Sequence, residues 1–528
     1  MGTCYTTPIY RDYIVALSYT CTIIDGIPNS HFSEKLVMSG LTKLLDFDHQ
    51  TQALAQVAGR LGWDQETMMA SGSSEQRAIE MSALEGVLHA RRSDGRVEEW
   101  LSNINLVLED EVTQAKLREI QRSYQRTVKV PKHLAQEIAR VTSMAQGIWA
   151  TARADNNFQA FAPILEEVLS LKREEGQALA VNEDIYDTML DDYEPGATAA
   201  ELSNMFEVLR PGLMELRSAV LEKEPAQKLQ GTFDESIQMQ ISNMLAETFG
   251  YDFSRGRIDK AVHPFSSGSG QDVRITTRTN RYDPFNCLYS TIHEVGHGTY
   301  EQNIDPNYKL TSIGQGASMG VHESQSRIYE NQLGRSRAFT FWLFNQMKRH
   351  FGDFGISDAD EFYKTVNSVN RGFIRTEADE VQYNLHVLLR FDLERALVSG
   401  DLQVKDLESA WNERFYNDFG YKVERAADGC LQDVHWSVGL FGYFPTYSLG
   451  NVYAGCLHEK LRQSCSNLDT ELRDGNLGTA TEWLRTNLQC HGALKLPRQT
   501  IIDACGFEPS EAPLLKYLQL KFTEIYDL

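Results

Sequence analysis

His293-Glu294-Val295-Gly296-His297 sets two imidazoles four residues apart with a carboxylate beside the first. On an α-helix, positions four apart project from one face, so the two rings can grip one small cation while Glu294 reaches a water held on it. This is the H-E-x-x-H arrangement of zinc peptidases, with the glutamate as general base. The plainer alternative is a surface helix that carries two histidines. Gly296 counts against an accidental helix, because glycine in a helix interior costs about 1 kcal/mol relative to alanine.

A catalytic zinc takes three protein ligands and keeps one position open for water. The next acidic residues are Glu301, Asp305 and Glu323. Glu301 lies one turn past His297 on the same helix, a poor direction from which to close a tetrahedron. Glu323 falls in residues 321–327, which read as the next helix after a Gly/Ser-rich loop at 313–320. An exposed helical carboxylate is its simplest role. His322 beside it, and the amide and hydroxyls of Ser324, Gln325 and Ser326, are unusual for a solvated face.

Those groups need helices to hold them. Asp283-Pro284 gives an N-cap followed by proline in the first turn, and Leu288, Ile292 and Val295 form an apolar stripe. Helical periodicity runs from Glu34 to about Leu221. Pro131 opens residues 132–145, where Leu134, Ile138 and Val141 recur, and residues 161–179 repeat the pattern with Ile164, Leu165, Val168 and Leu171. Helices dominate again from Ala338, including a stripe of Leu385, Leu388, Leu389, Leu393 and Leu397 with a structurally satisfied His386 beside it. Only 256–280 departs from this. There the alternation Asp272, Val273, Arg274, Ile275, Thr276 follows Ser266, Ser267 and Ser269, predicting a short β-sheet just before the H-E-x-x-H helix. The fold class is therefore mainly α, and 272–276 is expected to be an edge strand able to pair with an extended peptide.

The chain has 528 residues, 42% apolar and 23% charged, with 51 Lys+Arg against 73 Asp+Glu and a net charge of −22. Such a balance argues against nucleic-acid binding, which needs a basic surface. It also motivates a weak preference for basic or neutral over acidic substrate ends. Eight cysteines without a C-x-x-C pair read as reduced thiols in a cytoplasmic protein. No stretch reaches the 18 or so apolar residues of a spanning helix, so no membrane partner is expected. Residues 1–35 read as an extension of unknown role, with organelle targeting the alternative to a cytoplasmic location. The catalytic region is placed at 36–528.

Six short motifs occur in order: His263-Pro264-Phe265; Asp272-Val273-Arg274-Ile275-Thr276; His293-Glu294-Val295-Gly296-His297; His322-Glu323-Ser324-Gln325; Ile374-Arg375-Thr376-Glu377-Ala378-Asp379; and Gly429-Cys430-Leu431-Gln432-Asp433-Val434-His435-Trp436. Together they resemble metallopeptidase family 32, the thermostable carboxypeptidases, from about residue 39 to 528. The early Leu61-Gly62-Trp63-Asp64-Gln65-Glu66-Thr67 also resembles that family's N-terminal helical region. The resemblance implies a large helical zincin of the gluzincin type, with helical subdomains flanking a deep groove and commonly a homodimer. It implies His293, His297 and Glu323 as ligands of one Zn2+, for which Co2+ or Mn2+ could substitute, and Glu294 as general base and acid.

The chemistry expected is release of C-terminal residues from peptides with broad specificity. Zinc lowers the pKa of its water and polarises the carbonyl, and Glu294 carries the proton to the leaving amine. The oxyanion needs a further donor; the resemblance directs attention to His435 first, then to Tyr443 and Tyr447, whose competing role is core packing. An arginine fork suits the substrate's free carboxylate. Arg375, Arg371 and Arg274 are the candidates, and a salt bridge near Glu377, Asp379 and Glu380 is the competing role for Arg375. His263 is expected to shape the groove, and His322 to orient substrate or support a ligand. H-E-x-x-H alone does not separate an exopeptidase from an endopeptidase or oligopeptidase. A catalytically dead binding protein would have lost a ligand or the base, and all four residues are present.

Overall fold

The structure, a computed structural model, describes residues 39–180 and 184–528; the extension at 1–35 lies outside the described residues. Helices carry most of what is described, from Gly40–Thr67 to Ala512–Tyr526. Local chemistry sets their ends. Lys132–Ala154 begins directly after Pro131, which stands at the N-cap rather than in the first turn. Phe158–Leu179 starts earlier than the apolar spacing indicates, because the Asn157 side chain accepts the Ala160 N–H.

The main core draws on elements from Val141 to Tyr526, and a smaller one joins Leu44, Val97, Leu117, Ile120 and Tyr124 among the N-terminal helices. Each fully buried leucine in them is worth about 1.5–3 kcal/mol. The Glu380–Ser399 helix buries the five leucines its spacing predicts. It also buries Asn384, His386, Arg390 and Glu394, so it is enclosed on every side rather than amphipathic. His386 departs from expectation. Its ring packs on Phe419 at 4.6 Å, but its Nδ1 has no hydrogen-bond partner, so packing holds it in place of polar satisfaction.

Three strands precede the H-E-x-x-H helix: β1 (Gly256–Lys260), β2 (Ser266–Ser269) and β3 (Asp272–Thr277), in the order β1-β3-β2. β1 runs parallel to β3 with Arg257 opposite Arg274, and β2 runs antiparallel with Gly268 opposite Val273. β3 is therefore the central strand, which corrects the expectation of an edge strand at 272–276. Both of its backbone edges are used within the sheet, and only β1 and β2 have an outer edge. The sheet anchors the next helix: the Thr277 hydroxyl donates to the Cys287 carbonyl at 3.0 Å, and Val273 and Ile275 are fully buried. Among the described residues no helix is long and apolar enough to cross a membrane.

Candidate metal centre

The H-E-x-x-H residues lie on Pro284–Asn303, capped by Asp283 with Pro284 in the first turn, as the sequence predicts. Leu288, Ile292 and Val295 are fully buried beneath it. Glu323 lies on Met319–Arg327, where the Ser318 hydroxyl accepts the Val321 N–H at 3.0 Å. The two helices touch at Gly296, where a Cβ would stand 2.6 Å from the Gln325 carbonyl oxygen and the Ser326 Cα. That explains a glycine inside the motif: its helical cost is offset by the approach it allows. Gly450, on Phe444–Ser464, admits Glu323 in the same way; a Cβ there would lie 2.5 Å from the Glu323 Cβ. Buried Glu194 secures the start of the Glu323 helix by accepting the Gly320 N–H at 3.0 Å.

The result is a compact donor set. Glu323 Oε2 lies 3.8 Å from His293 Nε2 and 3.6 Å from His297 Nε2, and the three ligand atoms fall within 4.8 Å of one another. A tetrahedral site with arms of about 2.0–2.1 Å has edges of about 3.4 Å, so the set fits a single small cation. Glu323 Oε1 faces the other way and accepts from Arg327 Nε at 2.6 Å, leaving Oε2 as the oxygen turned toward the two imidazoles. The imidazoles remain 18–19% exposed while Glu323 is 8% exposed, so the site opens to solvent on the histidine side. Next to them Glu294 is buried, and its Oε2 has no partner. Burial pushes its carboxyl up to about 7, with Glu323 and Glu330 adding to the effect and His293 opposing it.

The two imidazoles are supported unequally. His293 Nδ1 meets Glu330 Oε2 at 2.9 Å, and Glu330 in turn receives Arg327 Nη1 at 3.4 Å and Arg335 Nη2 at 3.1 Å. Glu330 lies in the π-helical stretch Ile328–Leu333 that continues the Glu323 helix, a form that often marks functional sites. His297 Nδ1 instead meets His322 Nδ1 at 2.7 Å, and His322 Nε2 meets Glu301 Oε1 at 2.9 Å. Against the lowering effect of burial, Glu323 and Glu330 raise the affinity of His293 for a proton. Burial, His322 and His293 together hold His297 well below the usual imidazole range.

A second polar group lies close by. Tyr443 and Tyr447 flank the start of Phe444–Ser464, and the Tyr443 hydroxyl lies 3.8 Å from the sulfur of Met319, the first residue of the Glu323 helix. The Tyr447 hydroxyl is 3.2 Å from His435 Nε2; His435 Nδ1 is buried without a partner. Burial lowers the His435 pKa to about 4, with Arg375 and Arg390 lowering it further against the pull of Asp433. Arg375 is buried and satisfied. Its Nε and Nη2 reach Asp433 at 3.1 and 2.8 Å, and Nη1 donates to the Tyr383 hydroxyl at 3.0 Å. Arg390 Nε holds the other Asp433 oxygen at 2.7 Å. Tyr383 joins the two groups, since Arg327 stacks on its ring at 4.2 Å.

Of the remaining sequence candidates, Arg371 borders this site and Arg274 and His263 lie on the sheet side. Arg371 is exposed and lines a cavity of about 390 Å³ together with Arg327, Glu330 and Arg335. Arg274 is held by Asp272 at 2.8 Å and by the Trp63 ring at 4.3 Å. His263 is exposed between β1 and β2. Sequence reasoning missed Arg327 and Glu330, although positions 323, 327 and 330 share a helix face. It also missed the shared anion Asp433 and the buried partner role of Glu301.

Comparison with known proteins agrees with this geometry. The family model for the carboxypeptidase Taq (M32) metallopeptidases matches residues 43–522. Thermostable carboxypeptidase 1 of Thermus thermophilus is 36% identical over 501 residues, covering 92% of this chain and 98% of that protein. Carboxypeptidase 1 of Bacillus subtilis is 33% identical over 488 residues, covering 90% and 96%. Among solved structures, the M32 carboxypeptidase from Deinococcus radiodurans has a TM-score of 0.90 at 33% identity, covering 93% of this chain and 100% of that one. Metallocarboxypeptidase 1 of Trypanosoma cruzi has a TM-score of 0.89 at 31% identity, covering 92% and 99%.

Proposed function

Because the chain belongs to the carboxypeptidase Taq (M32) metallopeptidase family and is a peptide hydrolase, we propose the finer reading that it is a zinc-dependent exopeptidase of broad specificity removing C-terminal residues. The observation that carries it is the convergence of His293 Nε2, His297 Nε2 and Glu323 Oε2 beside the partnerless Glu294 Oε2. Two nitrogens and one carboxylate oxygen are the donor set of a catalytic zinc, which keeps a position open; Co2+ or Mn2+ are alternatives.

What the ion supplies there is Lewis acidity toward the scissile carbonyl and a water molecule. Proton handling falls to side chains. Glu294 takes the proton of the attacking water and returns it to the leaving amine, its buried Oε2 having no other partner to hold it. His435 is neutral at pH 7 and has one N–H to give. With that proton on Nε2 it donates to the Tyr447 oxygen, and the Tyr447 hydroxyl proton is released toward the substrate oxyanion. Tyr443 is a second donor from the same turn. Arg375 and Arg390 share the one anion Asp433, so this cluster keeps a net positive charge that favours a free carboxylate nearby. Arg371, which forms no ion pair among the described residues, is the arginine available for direct contact, while Arg274 and His263 would serve the substrate farther from the ligands.

Membership of the family supports a homodimer, and the free buried thiols Cys287, Cys430, Cys456 and Cys505 fit a cytoplasmic location; both are proposals. The test is mass spectrometry of a free peptide and its C-terminally amidated twin, with and without a chelator. Stepwise, chelator-sensitive loss from the free peptide alone is expected. Internal cleavage of the amidated peptide, or cleavage indifferent to chelator, overturns the reading.

A further inference from the structure

Two protons decide whether His297 can present a lone pair to a cation, and neither sits on His297 Nε2. A neutral imidazole has one N–H and one bare nitrogen. His297 Nε2 faces Glu323 Oε2 across 3.6 Å, so in the ligating form it must be bare and the ring proton must sit on Nδ1. That proton lies in the 2.7 Å contact with His322 Nδ1, which has room for only one hydrogen. His322 Nδ1 is therefore bare, and its own proton is on Nε2, pointing at Glu301 Oε1 2.9 Å away. Glu301 Oε1 already accepts the Gly316 N–H at 2.9 Å, which fixes it as the accepting oxygen of the pair.

We propose that Glu301, acting through His322, is a positioning residue that selects the metal-binding tautomer of His297. Without Glu301, His322 can turn its proton to Nδ1; the Nδ1 of His297 must then be bare, its proton moves to Nε2, and the ligand nitrogen is blocked. His293 needs no such relay, because Glu330 accepts its Nδ1 proton directly. A carboxylate behind a ligating histidine is a general device; here the carboxylate acts at one imidazole's remove, from the same helix as the ligand it serves. The acid that geometry excludes as a ligand becomes the determinant of one. Its burial agrees with this role: Glu301 has its side chain 8% exposed, and its second oxygen has no partner.

The inference rests on the metal reading above, and one titration separates their fates. Zn2+ affinity is measured on the full chain by competition with a chromophoric chelator, for the wild type and for Glu323→Ala, Glu301→Ala, Glu301→Gln, His322→Phe, His322→Gln and the double variant Glu301→Ala/His322→Phe. Glu301→Ala and His322→Phe are each expected to weaken binding about 10–100-fold. Glu301→Gln keeps an acceptor and His322→Gln keeps both an acceptor and a donor, so each should stay within about threefold of wild type. The double variant should bind as His322→Phe does, since Glu301 has nothing left to act through. Wild-type affinity in Glu301→Ala, or a further loss from it in the His322→Phe background, overturns the relay while leaving the site intact. Unchanged affinity in Glu323→Ala overturns the site itself. If the phenyl ring prevents folding, the contrast between Glu301→Ala and Glu301→Gln decides alone.

Discussion

Around His293, His297 and Glu323 the working groups come from two helices laid against each other, the second running on into the π-helical stretch that carries Glu330. Around His435 they come from short turns at 375–377 and 435–438 and from the first turn of Phe444–Ser464. The first region is fixed by helical spacing and by two close approaches at Gly296 and Gly450. The second is fixed by a buried ion cluster, in which one aspartate holds two arginines. The difference predicts different failures. Polar substitutions among the helical groups should remove chemistry and spare the fold, whereas those in the ion cluster should cost the fold first.

The largest effect should follow from Asp433→Asn. Removing the one anion leaves Arg375 and Arg390 buried against each other, and breaking a buried pair costs about 3–5 kcal/mol; equilibrium denaturation would read it. A variant as stable as wild type would mean that the cluster is not what holds the second region. Glu294→Gln should do the reverse: kcat/KM falls about 10³-fold with metal content unchanged and the fold retained, and residual activity near wild type would remove Glu294 as the proton carrier. Tyr447→Phe should lower kcat about 10²-fold, the scale of one oxyanion donor, with KM little changed. A rise in KM alone would place Tyr447 in substrate binding.

The smallest effect tests what the two regions share. Each is anchored by a buried glutamate: Glu194 at the start of the Glu323 helix, and Glu394, which accepts Trp436 Nε1 at 2.7 Å and the Gly442 N–H at 3.1 Å. Burial pushes both carboxyls up to about 7. A folded-state pKa above the unfolded value means that the protonated form is favoured in the fold. Its contribution is full below about 4.5 and is lost as pH rises through 7. Between pH 6 and 8 each group should therefore remove about 1 kcal/mol. Thermal unfolding midpoints across that range should fall less steeply in Glu194→Gln and Glu394→Gln than in wild type. Equal slopes would show that neither group changes its protonation on unfolding there.

Sequence reading served the first region better for a physical reason. Helical periodicity is local, so His293, Glu294 and His297 are legible from spacing four, and the Asp283 cap and the stripe beneath them follow from short-range rules. The same rule finds Arg327 one turn and Glu330 two turns along from Glu323. By spacing alone Glu323 is one of several acids, and only the family motifs single it out. The strand at 272–276 was legible as a strand but not as the central one, since alternation reports the pleat and not the neighbours.

Composition, helix periods and motif order thus determined the helical class, the short sheet, the H-E-x-x-H helix and the family of this chain. Tertiary structure alone decided which charges meet. Arg375 pairs with Asp433, 58 residues away, and not with the three acids beside it; Glu301 reaches across to His322, 21 residues on. Such contacts form because burying a charge without its partner costs several kcal/mol, and which partner is within reach depends on how the helices pack, a property that no local window contains.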